Sequence, residues 1–151
     1  MQLAFNCLKR KNIATTRATN MDSVIHSFAG LHDNIIIRYS VDFDRQSLHL
    51  ETKNEAGNKI SVNFSGVLAH NFEHVSQDNI IFGIDEITIN SFFELYQDLL
   101  IKAINYGFPT YCSSLDQLRD YLKQENIRAF VIDSSLGLCG FVLAKNIELT
   151  R

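Results

Sequence analysis

Apolar and polar residues alternate over most of the segment from Ile35 to Ile84, and this period of two constrains the fold more than any other feature. A period of two sends successive side chains to opposite faces of a strand, as in an antiparallel sheet with one solvated face. Turn-forming residues interrupt the alternation at 44–47 and at 54–58, where Gly and Asn tolerate positive φ. The pattern therefore predicts a meander of four strands.

Two details of the alternation carry further predictions. In the last strand of the meander the apolar parity reverses at Asp85 and Glu86, and a reversal inside one run indicates a β-bulge. In the first strand the alternation assigns five residues to a common face: Ile35, Ile37, Tyr39, Val41 and Phe43.

Helical spacing follows the meander. Ser91 with Glu94 and Ser114 with Gln117 each have the spacing of a capping box, which predicts helices over 91–107 and 114–125. A shorter helix is predicted over 21–30, and residues 130–133 and 138–149 are predicted as closing strands. We therefore expect an α+β fold, in which an antiparallel sheet of about six strands, a meander plus a C-terminal hairpin, carries two or three helices.

Charge divides the chain into two parts. Residues 1–20 contain four basic residues and no acid, and are predicted as a basic N-terminal arm or a first strand. The single domain expected over residues 21–151 has ten basic and 17 acidic residues, a net charge of −7. An acidic surface repels the phosphates of nucleic acid, so nucleic acid is not an expected partner. The chain also lacks the run of about 18 apolar residues that spans a membrane, so no membrane partner is expected.

The three cysteines are Cys7, Cys112 and Cys139, and they form no CxxC pair. An odd, widely spaced set is typical of reduced thiols, which predicts a cytoplasmic location. Cys139 lies in an apolar run and is expected to be a small buried hydrophobic residue. Cys112 has no recognisable base partner in the sequence.

The segment His70-Asn71-Phe72-Glu73-His74 has the HxxEH spacing. This spacing resembles that of inverzincin metallopeptidases, where two histidines bind zinc and the glutamate is the general base. Glu148 is a candidate third ligand, which leaves open the alternative of a small metal-dependent hydrolase. Strand parity, however, would place His70 and His74 on one face and turn Glu73 away. We therefore expect no metal and no cofactor at this segment.

The remaining candidate site is an acidic surface. Because no catalytic constellation is recognisable, we expect a non-enzymatic protein whose acids dock a basic protein partner. Four of them follow the polar face of the first hairpin and two lie at the predicted bulge: Asp42, Asp44, Glu51, Glu55, Asp85 and Glu86.

Three segments carry a family resemblance: Phe64-Ser65-Gly66 with Phe72-Glu73, residues 79–86, and residues 133–143. In order and spacing they resemble the YxiG-like small bacterial proteins over residues 34–149. Some proteins of that kind are thought to be immunity proteins encoded beside polymorphic toxins. The resemblance implies a binding protein that neutralises a cognate bacterial toxin, such as a nuclease, and it implies no catalytic residues.

Overall fold

The computed structural model describes residues 23–151, so the prediction made for residues 1–20 lies outside the described part of the chain. These residues form one antiparallel sheet of nine strands with two α-helices. The strands are β1 (Val24–Phe28), β2 (Ile35–Asp42), β3 (Ser47–Lys53), β4 (Lys59–Ser65), β5 (Ala69–Glu73), β6 (Ile80–Ile87), β7 (Arg128–Leu136), β8 (Cys139–Ala144) and β9 (Asn146–Thr150). The helices are α1 (Ile89–Ala103), extended by a 3-10 turn over Ile104–Tyr106, and α2 (Leu115–Gln124).

The α+β class is confirmed, and the prediction of about six strands is wrong. The predicted meander of four strands is also wrong, because β6 pairs with β1, β2 and β7 and not with β4. Two of the predicted strands are each divided by a bend, β4 from β5 and β8 from β9. Gly66, at the first bend, has a φ of 63°, a left-handed conformation that a glycine adopts without steric penalty. The third helix predicted over 21–30 is also wrong, because Val24–Phe28 is β1 and pairs with β6. Pairing along a strand edge outweighs a short stretch of helical spacing.

The sheet closes on itself through these bent strands. Its strand order is β5-β8-β7-β6-β2-β3-β4-β9. Ser65 of β4 pairs with Asn146, and Ala69 of β5 pairs with Leu143, so β4–β5 and β8–β9 run beside each other as two continuous strands. The coiled sheet surrounds an inner core, whose residues include Ile36, Leu48, Leu50, Val62, Phe64, Ile84, Phe130, Ile132 and Val142.

A second core lies outside the sheet, beneath the helices. β8 is buried along its whole length, because its side chains point alternately into the inner core and towards α1 and α2. Phe141 contacts Phe92 and Tyr96 of α1, with ring centroids 4.9 and 4.5 Å apart. Both helices therefore pack on β7 and β8. Within residues 23–151, no helix is long and apolar enough to cross a membrane.

The predicted N-terminal cap is correct for α2 and wrong for α1. Ser114 caps α2 as predicted, since its hydroxyl accepts a hydrogen bond from the Gln117 amide at 3.1 Å. The capping box predicted at Ser91 and Glu94 is wrong, because Thr88 is the N-cap of α1 and accepts from the Ser91 amide. Thr88 directly follows β6, so the helix begins as soon as the strand ends.

The bulge predicted in β6 at Asp85 and Glu86 is also wrong. Residues 83–87 keep a regular register with β7. Parity reverses there because Glu86 occupies an inward position, opposite Phe130 of the inner core, while Ile87 faces the helices. The register shift at this level lies in the neighbouring strand, between Val24 and His26 of β1.

Candidate functional site

An unpaired strand edge is the first feature of the surface that could bind a partner. β2 pairs with β3 along its length but with β6 only at Ile35, opposite Ile80. Within the described chain, the edge of β2 from Ile37 to Asp42 therefore has no neighbouring strand. β5 likewise pairs with β8 alone. We call the region between these two edges, residues 37–42 and 69–73, the β2–β5 opening.

Aromatic and apolar side chains of the inner face are accessible at the β2–β5 opening. Tyr39 contacts Phe72 edge to face across it, with ring centroids 5.5 Å apart, and Phe72 also contacts His70 at 5.2 Å. Tyr39 pairs with Leu50, which is fully buried, yet 39% of Tyr39 remains exposed. Tyr39 points into the sheet, as buried core residues do, but the opening leaves its ring accessible to solvent.

The common face predicted for β2 is only partly correct. Tyr39 and Val41 point inward, but the register shifts between Ile36 and Arg38. Ile36 is consequently the buried residue, and Ile35 and Ile37 are exposed. This register shift places Ile35 and Ile37 on the outer surface of the sheet, beside the opening.

Asp42 is the last residue of β2 and Asp44 lies in the connection to β3, so both acids are at the same end of the β2–β5 opening. Both are exposed. The Asp42 carboxylate accepts a hydrogen bond from the Arg45 amide at 2.9 Å, which orders the turn. Phe43 lies between the two acids and is 82% exposed. The turn thus presents an exposed aromatic residue with one carboxylate before it and one after it in the sequence.

The other four predicted acidic contacts lie elsewhere. Glu55 occupies the β3–β4 turn, at the opposite end of β3 from Asp42. Glu51 contacts Lys59 at 2.7 Å and Arg38 at 3.0 Å, and the hydrogen bond from Lys59 lowers the pKa of Glu51. Its charge is therefore already paired within the sheet.

Asp85 and Glu86 lie in β6, away from the β2–β3 turn. Asp85 is half-buried and pairs with Val131. Glu86 is buried, and its carboxylate accepts two hydrogen bonds from Arg128, at 2.9 and 2.7 Å. These hydrogen bonds raise the pKa of Arg128. The structure therefore brings together only Asp42 and Asp44 of the six predicted contacts.

The HxxEH segment forms a different group from the one predicted. β5 ends at Glu73, and His74 has a φ of 57°, in the left-handed region. This conformation breaks strand parity and brings the His74 Nε2 atom to 3.8 Å from the Glu73 Oε2 atom. The prediction that Glu73 turns away from His74 is therefore wrong. His70 points instead towards the inner core, where burial lowers its pKa.

Cys139 completes this group. The carboxylate of Glu73, the imidazole of His74 and the thiol of Cys139 lie within 4.8 Å of one another. Glu148, the predicted third ligand, is exposed on β9 opposite Asn63, so His70, His74 and Glu148 are not assembled into a site. The sequence predicted Cys139 only as a small buried hydrophobic residue. The pairing of β5 with β8 places it opposite Glu73, and no local signal encodes that pairing.

Comparison with known proteins identifies no family for this chain. No protein-family model matches it. No curated protein is significantly similar to it. One solved structure, an uncharacterized protein from Neisseria gonorrhoeae, is similar to 83% of this chain over 98% of its own length, with 12% identity and a TM-score of 0.47.

Proposed function

We propose that this protein is a non-enzymatic protein-binding domain that captures an extended, basic segment of a partner at the β2–β5 opening. The observation that carries the proposal is the edge of β2 that has no partner strand within residues 23–151, with Asp42 and Asp44 at its end. Its specific form, suggested by the family resemblance, is a cytoplasmic immunity protein that neutralises a bacterial toxin.

Strand addition is the mode of binding that suits this edge. An unpaired edge presents a row of backbone N–H and C=O groups that an extended segment can pair with. β2 is eight residues long, and its free edge begins at Ile37, after the bridge of Ile35 to β6 and the hydrogen bond from the Ile36 amide to the Asn79 carbonyl. A bound strand would therefore extend the existing ladder.

Accessible rings supply the apolar part of such an interface. Tyr39 and Phe72 form a contact at the opening that a bound segment would cover. Aromatic anchors of this kind dominate the energetics of many protein interfaces. Ile35 and Ile37, exposed on the other face of β2, enlarge the apolar area.

Charge determines the kind of partner. Residues 21–151 carry a net charge of −7, and Asp42 and Asp44 are exposed beside the unpaired edge. A segment rich in Lys and Arg complements both features, and opposite charges accelerate association. Nuclease toxins need cationic surfaces to hold phosphates, so a nuclease is a toxin of suitable charge.

The test uses binding kinetics against the purified product of the adjacent gene, at low and at high salt. The double variant Asp42→Lys with Asp44→Lys should associate about tenfold more slowly at low salt, and its association rate should depend less on salt. Tyr39→Ala should accelerate dissociation, because it removes an aromatic ring that the bound segment would cover. The matched control is Glu94→Lys with Asp120→Lys, two exposed acids on α1 and α2, and it should leave both rates unchanged.

Amide hydrogen exchange tests the mode of binding. In the complex, exchange at residues 37–42 should slow, because bound backbone groups are protected. Binding without such protection would overturn strand addition. An adjacent gene product that does not bind, or binding that the Asp42 and Asp44 replacements and the control affect equally, would overturn the proposed surface.

A further inference from the structure

Three metal-ligating groups of different chemistry meet at the end of β5: the Glu73 carboxylate, the His74 imidazole and the Cys139 thiol. We propose that Glu73, His74 and Cys139 form a zinc-binding site. This inference does not depend on the proposed function, because it rests on the ligand atoms at the end of β5 and not on the edge of β2.

The distances are close to those of a zinc site. Bonds of 2.0–2.3 Å in a tetrahedral arrangement separate two ligand atoms by about 3.5 Å. The Glu73 and His74 atoms are already 3.8 Å apart, and the largest separation in the group is within 4.8 Å. Cys139 is buried, whereas the side chains of Glu73 and His74 are about half exposed. Rotation of these two exposed side chains towards the fixed thiol completes the geometry.

The backbone holds the two sides of the group together. Glu73 and Cys139 are direct partners in the β5–β8 ladder. The loop that follows His74 is attached to the same hairpin, because the Asn79 side chain accepts a hydrogen bond from the Leu138 amide at 2.9 Å. Leu138 immediately precedes Cys139. The site is thus fixed by strand pairing on one side and by the Asn79 contact on the other, as preorganised metal sites require.

The backbone conformation of His74 determines where its imidazole lies. His74 has a φ of 57°, in the left-handed region, in which histidine is one of the more frequent non-glycine residues. An extended residue at this position would alternate away from Glu73. The left-handed backbone is what brings the imidazole to the carboxylate.

The ligand set selects the metal. Thiolate and imidazole suit zinc, whereas calcium and magnesium require oxygen ligands. A thiolate and a carboxylate together neutralise a divalent ion. Three protein ligands leave a fourth position of the tetrahedron open to water or to an external group.

The experiment is titration of the reduced, metal-free full chain with Co²⁺, which reports on its ligands by absorption. We expect one Co²⁺ per chain and a thiolate-to-cobalt charge-transfer band, which Zn²⁺ should abolish by displacement because zinc binds more tightly. Cys139→Ser should remove the band. Glu73→Gln should weaken binding at least about tenfold.

His74→Gly is the variant that separates binding from folding. Glycine accepts the left-handed backbone, so the fold should be retained while affinity for Co²⁺ falls at least about tenfold. The matched controls are Cys7→Ser, Cys112→Ser and His70→Ala, which should keep both the band and the affinity. Substoichiometric binding, a band that survives Cys139→Ser, or a band that disappears with Cys7→Ser or Cys112→Ser would overturn the site.

Discussion

The side-chain oxygen of Asn79 accepts a hydrogen bond from the backbone amide of Leu138 at 2.9 Å, and thereby joins the loop before β6 to the β7–β8 hairpin. The same oxygen accepts from the Ser76 amide at 3.0 Å, and the Asn79 amide group donates to the Ser76 carbonyl at 2.7 Å. One buried amide side chain thus satisfies three backbone groups from two segments distant in sequence.

Asn79→Ala is therefore expected to destabilise the fold by about 2–3 kcal/mol, because it leaves buried backbone groups without partners. Urea denaturation measures the change. Asn58→Ala, at an exposed position of the β3–β4 turn, is the control and should stay within about 0.5 kcal/mol of the native protein. Equal effects of the two substitutions would contradict a bridging role for Asn79.

At Gly140 the backbone of β8 passes close to that of β5. A Cβ atom there would lie 1.8 Å from the Asn71 carbonyl oxygen, and its φ of 150° is one that other residues rarely adopt. Gly140→Ala should cost at least about 3 kcal/mol, since the strand pair must separate. In the control Gly83→Ala, the added atom meets nothing within 4 Å, so stability should be unchanged or slightly higher. Thermal denaturation of the two variants would show the difference directly.

Local chemistry explains which elements the sequence predicted correctly. The hairpin of β3 and β4 was predicted because its alternation and its turn are both local. The side chain of Asn54 accepts from the Asn58 amide, and Gly57 has a φ of 85°. The cap of α2 at Ser114 is equally local, because donor and acceptor are three residues apart.

Long-range pairing explains what the sequence did not predict. A period of two indicates a strand but does not specify its partner, so neither the closure of the sheet nor the pairing of Glu73 with Cys139 could be inferred. The left-handed conformation of His74 could not be predicted either, since a single histidine adopts that region too rarely to indicate it. Glu86 was assigned to the surface because it is an acid, but it is buried, and its partner Arg128 lies on another strand.

The ion pair of Glu86 with Arg128 closes one end of the inner core, where the guanidinium lies 5.1 Å from the centroid of the Phe130 ring. Glu86→Ala should destabilise the protein by about 1–3 kcal/mol, because the half-exposed Arg128 loses the two hydrogen bonds that Glu86 accepts. Replacing both residues, with Glu86→Leu and Arg128→Met, should cost less than Glu86→Ala alone. A double-mutant cycle measured by urea denaturation gives the coupling between the two residues. A coupling near zero would contradict this account of the pair.

His70 makes stability depend on pH. Burial beside Phe72 lowers its pKa below the ordinary value of 6.5, so the folded protein binds a proton less readily than the unfolded chain. The stability that depends on neutral His70 is present above about pH 6.5 and is lost as the pH falls through the folded pKa. His70→Gln should therefore lose less stability than the native protein between about pH 7.5 and about pH 5, as measured by urea midpoints. Identical slopes for the two proteins would show that His70 is not the group responsible.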